Sequence, residues 1–197
     1  MTAPSVPSQD RAAPAPLGTG RMGMKILVLA LSMLFGASIL GYLVIRLRAP
    51  VWPPPGMPRL PAALWVSTII IVISSFTMHS AVRAAREERD RTLHASMVLT
   101  TLLGMLFLVS QTVNWFSLVA ANLTARTNLY GFTFYLLTGL HAAHVIGGVI
   151  PLVVVTVRSW QGRYSAAFHP GVEYVAIYWH FLAVVWVVLF TLLVIVG

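Results

Sequence analysis

Long apolar runs separated by short polar stretches make up almost all of this chain. Five runs cover about 24–45, 62–81, 96–121, 130–157 and 172–196. Each reaches the ~20 residues that a helix rising 1.5 Å per residue needs to cross the ~30 Å apolar layer of a bilayer. The pattern predicts an all-α membrane protein, a five-helix transmembrane bundle over 21–197. Residues 1–20 are rich in Ala, Pro, Ser and Thr with only Asp10 and Arg11 charged, and read as a disordered tail. The first apolar run starts late and is as long as a full span, so it reads as a span and not as a signal peptide. Between runs one and two, Pro53, Pro54 and Pro55 favour polyproline geometry, and Trp52 suits an interfacial anchor. The mixed-sign run over 83–94 reads as a solvated helical connector.

Polar residues inside the runs are few. The fourth run, YGFTFYLLTGLHAAHVIGGVIP, carries His141 and His144 one turn apart. Gly139, Ala143 and Gly147 form a small-xxx-small ladder on the same helix, where another helix can approach closely. A span with imidazoles and such a ladder is expected to face protein, with the other spans packed around it. Pro151 kinks or ends this helix, or is tolerated late in it. In run one, Ser32 with Gly36 and Ala37 with Gly41 repeat the small-residue spacing. Gln111 and Asn114 in run three lie deep enough to need partners. Glu173 falls in the first turn of run five, where a helix N-terminus stabilises a carboxylate.

Composition strengthens the membrane reading. The chain is 58% hydrophobic and 9% charged, with a mean hydropathy of +0.83, against about 25% charged in soluble domains. The net charge of +8 comes from cations at span ends, which points to topology and lipid headgroups and not to nucleic acid. Arg11, Arg21, Lys25, Arg83, Arg86, Arg89, Arg91, Arg158 and Arg163 fall on one side, and Arg46, Arg48, Arg59 and Arg126 on the other. This bias predicts the N-terminus inside and the C-terminus outside. With no cysteine there is no disulfide framework, thiolate metal site or CxxCH heme attachment.

Three kinds of site chemistry can be weighed. A heme or metal held by His141, His144 and His180 meets a depth mismatch. His144 lies about 20 Å from the inner end of its span and His180 about 10 Å from its own, whereas ligands of one metal lie within about 2.1 Å of it. A proton carrier is disfavoured because no Asp or Glu lies in a span interior. Tyr174, Tyr178, Trp179, Phe181 and Trp186 could line a quinone pocket, but anchoring and packing explain them more simply. Trp179 and Trp186 share one helix face, and Glu173 and His180 another. No phosphate loop, nucleophile elbow or HExxH motif is present. The residues alone favour an accessory subunit over an enzyme.

Six motifs in order then resemble one family, over about 22–197. RMGMKILVLALSMLFG resembles the first helix of the five-helix bacterial form of subunit III of the heme–copper terminal oxidases, and VWPPPGMPRL is similar to its WPPPG loop. SSFTMHSA and LLGMLFLVSQTVNW resemble its next two helices. FYLLTGLHAAHVIGG is similar to its FxLTGxHxxHVxxG segment, and HPGVEYVAIYWHFLAVVW to its closing HxGxExxxxYWHFxDxVW segment. The resemblance implies a non-catalytic subunit of a bacterial inner-membrane cytochrome c or quinol oxidase. It would hold no heme or copper, pack beside the catalytic subunit I and subunit II, bind phospholipids and support their electron transfer and proton translocation. His141, His144, Glu173, Trp179 and His180 match the family pattern and, with the Gly139, Ala143 and Gly147 ladder, are the candidate subunit or lipid interface. Leu31, Asn114 and Ala183 stand where the family usually has carboxylates, so a proton-linked role does not carry over at those positions. The alternatives are a related accessory subunit of a nitric oxide reductase and, in another class, a small transporter or b-type cytochrome.

Overall fold

The structure is a computed structural model that describes residues 19–58, 60–161 and 170–196. The tail expected over 1–20 falls outside these residues except for Thr19 and Gly20, which already belong to the first helix; Arg11, Arg59, Arg163 and His169 also lie outside. Regular structure among the described residues is helical: α1 (Thr19–Arg48), α2 (Ala63–Arg86), α3 (Asp90–Ala120), α4 (Leu129–Trp160) and α5 (Pro170–Thr191), whose last turn is wound as a π-helix over Leu192–Val196. All five are long and apolar enough to cross a membrane.

The helices outrun the apolar stretches that signal them. α2 extends to Arg86 and α3 begins at Asp90, so the charged run over 83–94 is helical on both sides of a tight turn. Glu88 takes a left-handed conformation there (φ 54°), and the Arg89 N–H reaches back to the Ala84 carbonyl at 3.0 Å. This six-to-one bond caps a helix C-terminus. Arg83 pairs with Glu87 at 2.8 Å, and Arg89 pairs with the same carboxylate. The end of α3 repeats the device, with Asn122 left-handed (φ 61°) and the Leu123 N–H on the Leu118 carbonyl at 2.9 Å. Asn tolerates this conformation better than most residues, and the following Leu123 is buried. α4 then starts on the Asn128 side chain, which accepts from the Gly131 N–H at 2.8 Å. Pro151 sits within α4, which continues about two and a half turns further to Trp160, and its ring faces outward.

The central helix is α5, not α4. Trp179 and Trp186 are fully buried and project from one face of α5 toward α2 and α3. The Trp179 indole N–H donates to Ser74 Oγ at 2.8 Å and that of Trp186 to Thr68 Oγ1 at 3.0 Å. A buried indole needs a partner for its N–H, so these two bonds fix the rotation of α5 against α2. α2 and α3 form an antiparallel hairpin with a seam of small hydroxyl side chains. Ser67 bonds Ser110 at 2.7 Å, and Thr77 bonds Thr100 at 2.8 Å. Small side chains let backbones approach, and hydroxyls satisfy one another where no water competes. α1 is peripheral. Few of its side chains are buried, chiefly Leu31, Phe35 and Tyr42, and it rests on α5 and the edge of α4. Trp52 is not a simple surface anchor. Its ring is wedged between Tyr42 and Tyr130, with centroids at 5.9 and 5.2 Å, and ties the loop after α1 to α4.

Candidate functional site

His141, His144 and His180, three of the four histidines in the apolar spans, occupy three different settings. His141 is fully buried, with Trp186 at 5.1 Å and Phe107 at 5.7 Å between ring centroids, so it belongs to the core where α3, α4 and α5 meet. His144, one turn on, turns toward α1 and meets the edge of Phe35 at 5.2 Å; its Nδ1 lies 2.7 Å from the Leu140 carbonyl. That carbonyl accepts, so Nδ1 carries the proton. Its own carbonyl accepts from the Tyr178 hydroxyl at 3.0 Å. His180 faces α2, where Nδ1 lies 2.6 Å from Ser75 Oγ and the ring is 6.4 Å from that of His79. The ring partners of His180 are thus on α2, while those of His144 are on α1. Among the described residues no group of three or more His, Asp or Glu is arranged to hold a metal ion.

A second polar cluster forms where α1 and α5 begin and α2 ends. Arg86 pairs with Glu173 at 2.9 Å, joining the last turn of α2 to the first turn of α5. Arg21, His79, Arg86, Glu173 and His180 line a cavity of about 210 Å³. Glu173 and His180 therefore do face the same space, as their two-turn spacing suggests. Arg21 and Arg86 bring guanidinium forks, which suit a phosphate oxygen. This cluster was only half legible in the sequence. The Glu173–His180 face follows from helical spacing, but nothing local ties Arg86 to it across 87 residues.

Among the described residues the glycine ladder of α4 makes no close helix contact: a Cβ at Gly147 would reach only the Tyr178 hydroxyl of α5, at 3.9 Å. Ala143 and Gly147 are exposed, and a Cβ at Gly139 would find no heavy atom within 4 Å among the described residues. The close approach occurs one face over and on α3. A Cβ at Gly148 would lie 2.8 Å from the Tyr178 ring, and one at Gly104 would lie 2.6 Å from the Trp179 indole. Flanked by exposed Leu136, Ile146 and Ile150, the ladder presents a smooth apolar strip outward. The aromatic set of α5 fills contacts inside the bundle: besides Trp179 and Trp186, Phe181 packs 6.3 Å from Phe35 and Tyr178 bonds α4. Leu31, Asn114 and Ala183 are all buried, at 9, 1 and 5% exposure. A carboxylate at any of them would sit inside the bundle and not in lipid.

These features define a class, an integral membrane protein of five spanning helices in which His141, His144, His180, Trp179 and Trp186 lie in helix contacts. Comparison with known proteins makes this specific. The family model for cytochrome c oxidase subunit III matches residues 17–197. Cytochrome c oxidase subunit 3 of Synechocystis sp. is 39% identical over 172 residues, 86% of this chain and 72% of the relative. The Thermostichus vulcanus protein of the same name is 33% identical over 87% of this chain and 85% of the relative. A probable cytochrome c oxidase subunit 3 of Mycobacterium leprae is 32% identical over 82% and 80%. The chain belongs to the cytochrome c oxidase subunit III family. That places it among the accessory subunits of heme–copper oxidases in the respiratory chain, and the nitric oxide reductase, transporter and b-type cytochrome readings are not favoured.

Proposed function

We propose that this chain is the non-catalytic subunit III of a bacterial cytochrome c oxidase complex in the inner membrane. It packs beside the catalytic subunit I and subunit II, which carry the heme and copper, and supports their electron transfer and proton translocation without touching O₂. The observation that carries this reading is the family match across almost the whole chain. The bundle is compatible with it. No Asp or Glu lies in a span interior, so the chain offers no carboxylate relay of its own for protons.

In this reading the outward strip of Gly139, Ala143 and Gly147 lies against a neighbouring subunit or lipid. His141, His144 and Trp179 shape the bundle behind that strip. The cavity of Arg21, Arg86, Glu173 and His180 receives the phosphate of a phospholipid headgroup. It belongs to the more basic side of the chain, which faces inward toward anionic lipid. The N-terminus is then inside and the C-terminus outside. The test is affinity purification of the tagged chain from native membranes in mild detergent, with its partners and heme types identified. Stoichiometric heme–copper oxidase chains are expected. Recovery with nitric oxide reductase chains, or with no heme protein, would overturn the proposal.

A further inference from the structure

The core between α3 and α4 contains polar atoms that the helices themselves leave unmatched. His141, Gln111 and Asn114 are buried at 0, 1 and 1% exposure. Both ring nitrogens of His141, both amide atoms of Gln111 and Oδ1 of Asn114 bond no described residue, while Asn114 Nδ2 donates to Ser67 Oγ at 3.2 Å. In the apolar layer an unpaired buried polar atom is among the costliest arrangements a helix can carry. The register brings these groups together. On α3, Gln111 lies one turn from both Phe107 and Trp115. Phe107 packs 5.7 Å from the His141 ring, and the Trp115 indole N–H donates to Thr138 Oγ1 at 3.2 Å. Thr138 is one turn from His141 on α4. Gln111 is thus bracketed by two contacts to the turn that holds His141, and Asn114 follows toward α2.

We propose that this is an internal hydration site, where about one or two water molecules link Gln111, Asn114 and His141 within the membrane-embedded core. The donor and acceptor inventory fits water. Neutral His141 offers one donor and one acceptor, Gln111 an amide donor group and a carbonyl acceptor, and Asn114 a carbonyl acceptor. A direct Gln111–His141 bond would match one atom of each residue and leave three of the five atoms alone. Water donates twice and accepts twice, so it joins acceptors and donors in one network. A cation does not fit, because these side chains bring one imidazole, two amides and no negative charge to offset it. The site lies about 18 Å along α4 from its start at Leu129, at 1.5 Å per residue. Its role is to hold the His141 ring in its tilted contact with Trp186, 5.1 Å between centroids, whose indole joins α5 to α2.

The direct test is a density map of the whole complex at a resolution that resolves ordered water. Density within hydrogen-bond distance of both Gln111 and His141 is expected. A Gln111 amide bonded straight to His141 with nothing between would overturn the proposal. A second measurement is independent of map quality: thermal unfolding of the full chain carrying Gln111→Leu, His141→Phe, or both. Each single variant strands the polar groups of its partner and should lower Tm, while the double variant removes most of the demand and should recover at least half of the summed loss. Additive losses would mean that the two side chains share no water, and would contradict the site.

Discussion

Gly104→Ala is the substitution that most sharply probes the packing of α5. The added Cβ would lie 2.6 Å from Trp179 Cη2 and 2.9 Å from Cζ2, against 3.4–4 Å for ordinary contact. The indole would have to retreat by about 0.8 Å, which this core resists. Trp179 is fully buried, and its N–H is tied to Ser74 Oγ at 2.8 Å. A retreat of that size stretches the bond beyond useful length. Overpacking costs about 1–3 kcal/mol and the weakened hydrogen bond about 1 kcal/mol. Replacing a mid-helix glycine with alanine returns about 1 kcal/mol of helix propensity. The expected net loss is about 1–3 kcal/mol. The control is Gly139→Ala, where a Cβ meets nothing within 4 Å among the described residues; it should be neutral or stabilising by up to about 1 kcal/mol. Unfolding of the full chain in mild detergent, followed by circular dichroism, measures both. In a Trp179→Phe background the ring edge that clashes is gone, so Gly104→Ala should cost less there, and the cycle isolates the contact. Equal stability of Gly104→Ala and Gly139→Ala would refute the reasoning.

Three further outcomes follow from the same geometry. Ala143→Leu adds bulk to an exposed position and should leave the isolated chain within about 0.5 kcal/mol of wild type, yet weaken its retention in the oxidase complex on a sizing column; full retention would mean that this strip meets lipid. Ala183→Asp places a carboxyl in the buried face of α5 and should destabilise the chain by about 3 kcal/mol or more at neutral pH, whereas the wild-type spans over 24–45, 96–121 and 175–196 should take no carbodiimide adduct by mass spectrometry. Reporters fused after Glu88 and after Arg126 should report inside and outside respectively, and the same side for both would remove the five-span topology.

The five spans and the depth of Gln111 and Asn114, both buried, were legible because a bilayer makes apolar length expensive to violate. The shared face of Trp179 and Trp186 followed from helical spacing alone. Which helix stands at the centre did not. A histidine pair and a glycine ladder made α4 look central, yet a small residue suits a lipid-facing strip as well as a helix contact, and size cannot tell the two apart. The better signal was the repeat of buried positions on α2 (Leu64, Ser67, Ile71, Ser74, Met78, Ala81) and α3 (Met97, Thr100, Gly104, Phe107, Gln111, Asn114). These alternate by three and four like a coiled-coil seam. In a soluble helix such a seam is the apolar one; here every other side is apolar too, so it is the small and polar members that mark the inside. The pairing of Gly104 with Trp179 and of Arg86 with Glu173 joins residues 75 and 87 positions apart, which no local pattern reports.

The most direct measurement of the accessory role is a metal and heme inventory before and after this subunit is stripped from its complex. The purified oxidase is taken into a detergent that releases the chain, and the two fractions are assayed for heme by absorption spectrum and for copper by elemental analysis. The predicted result is that all heme and copper stay with the remaining complex, which still reduces O₂, while the released chain carries neither. Stoichiometric heme or copper leaving with this chain, or an O₂-reducing activity that follows it, would contradict the account.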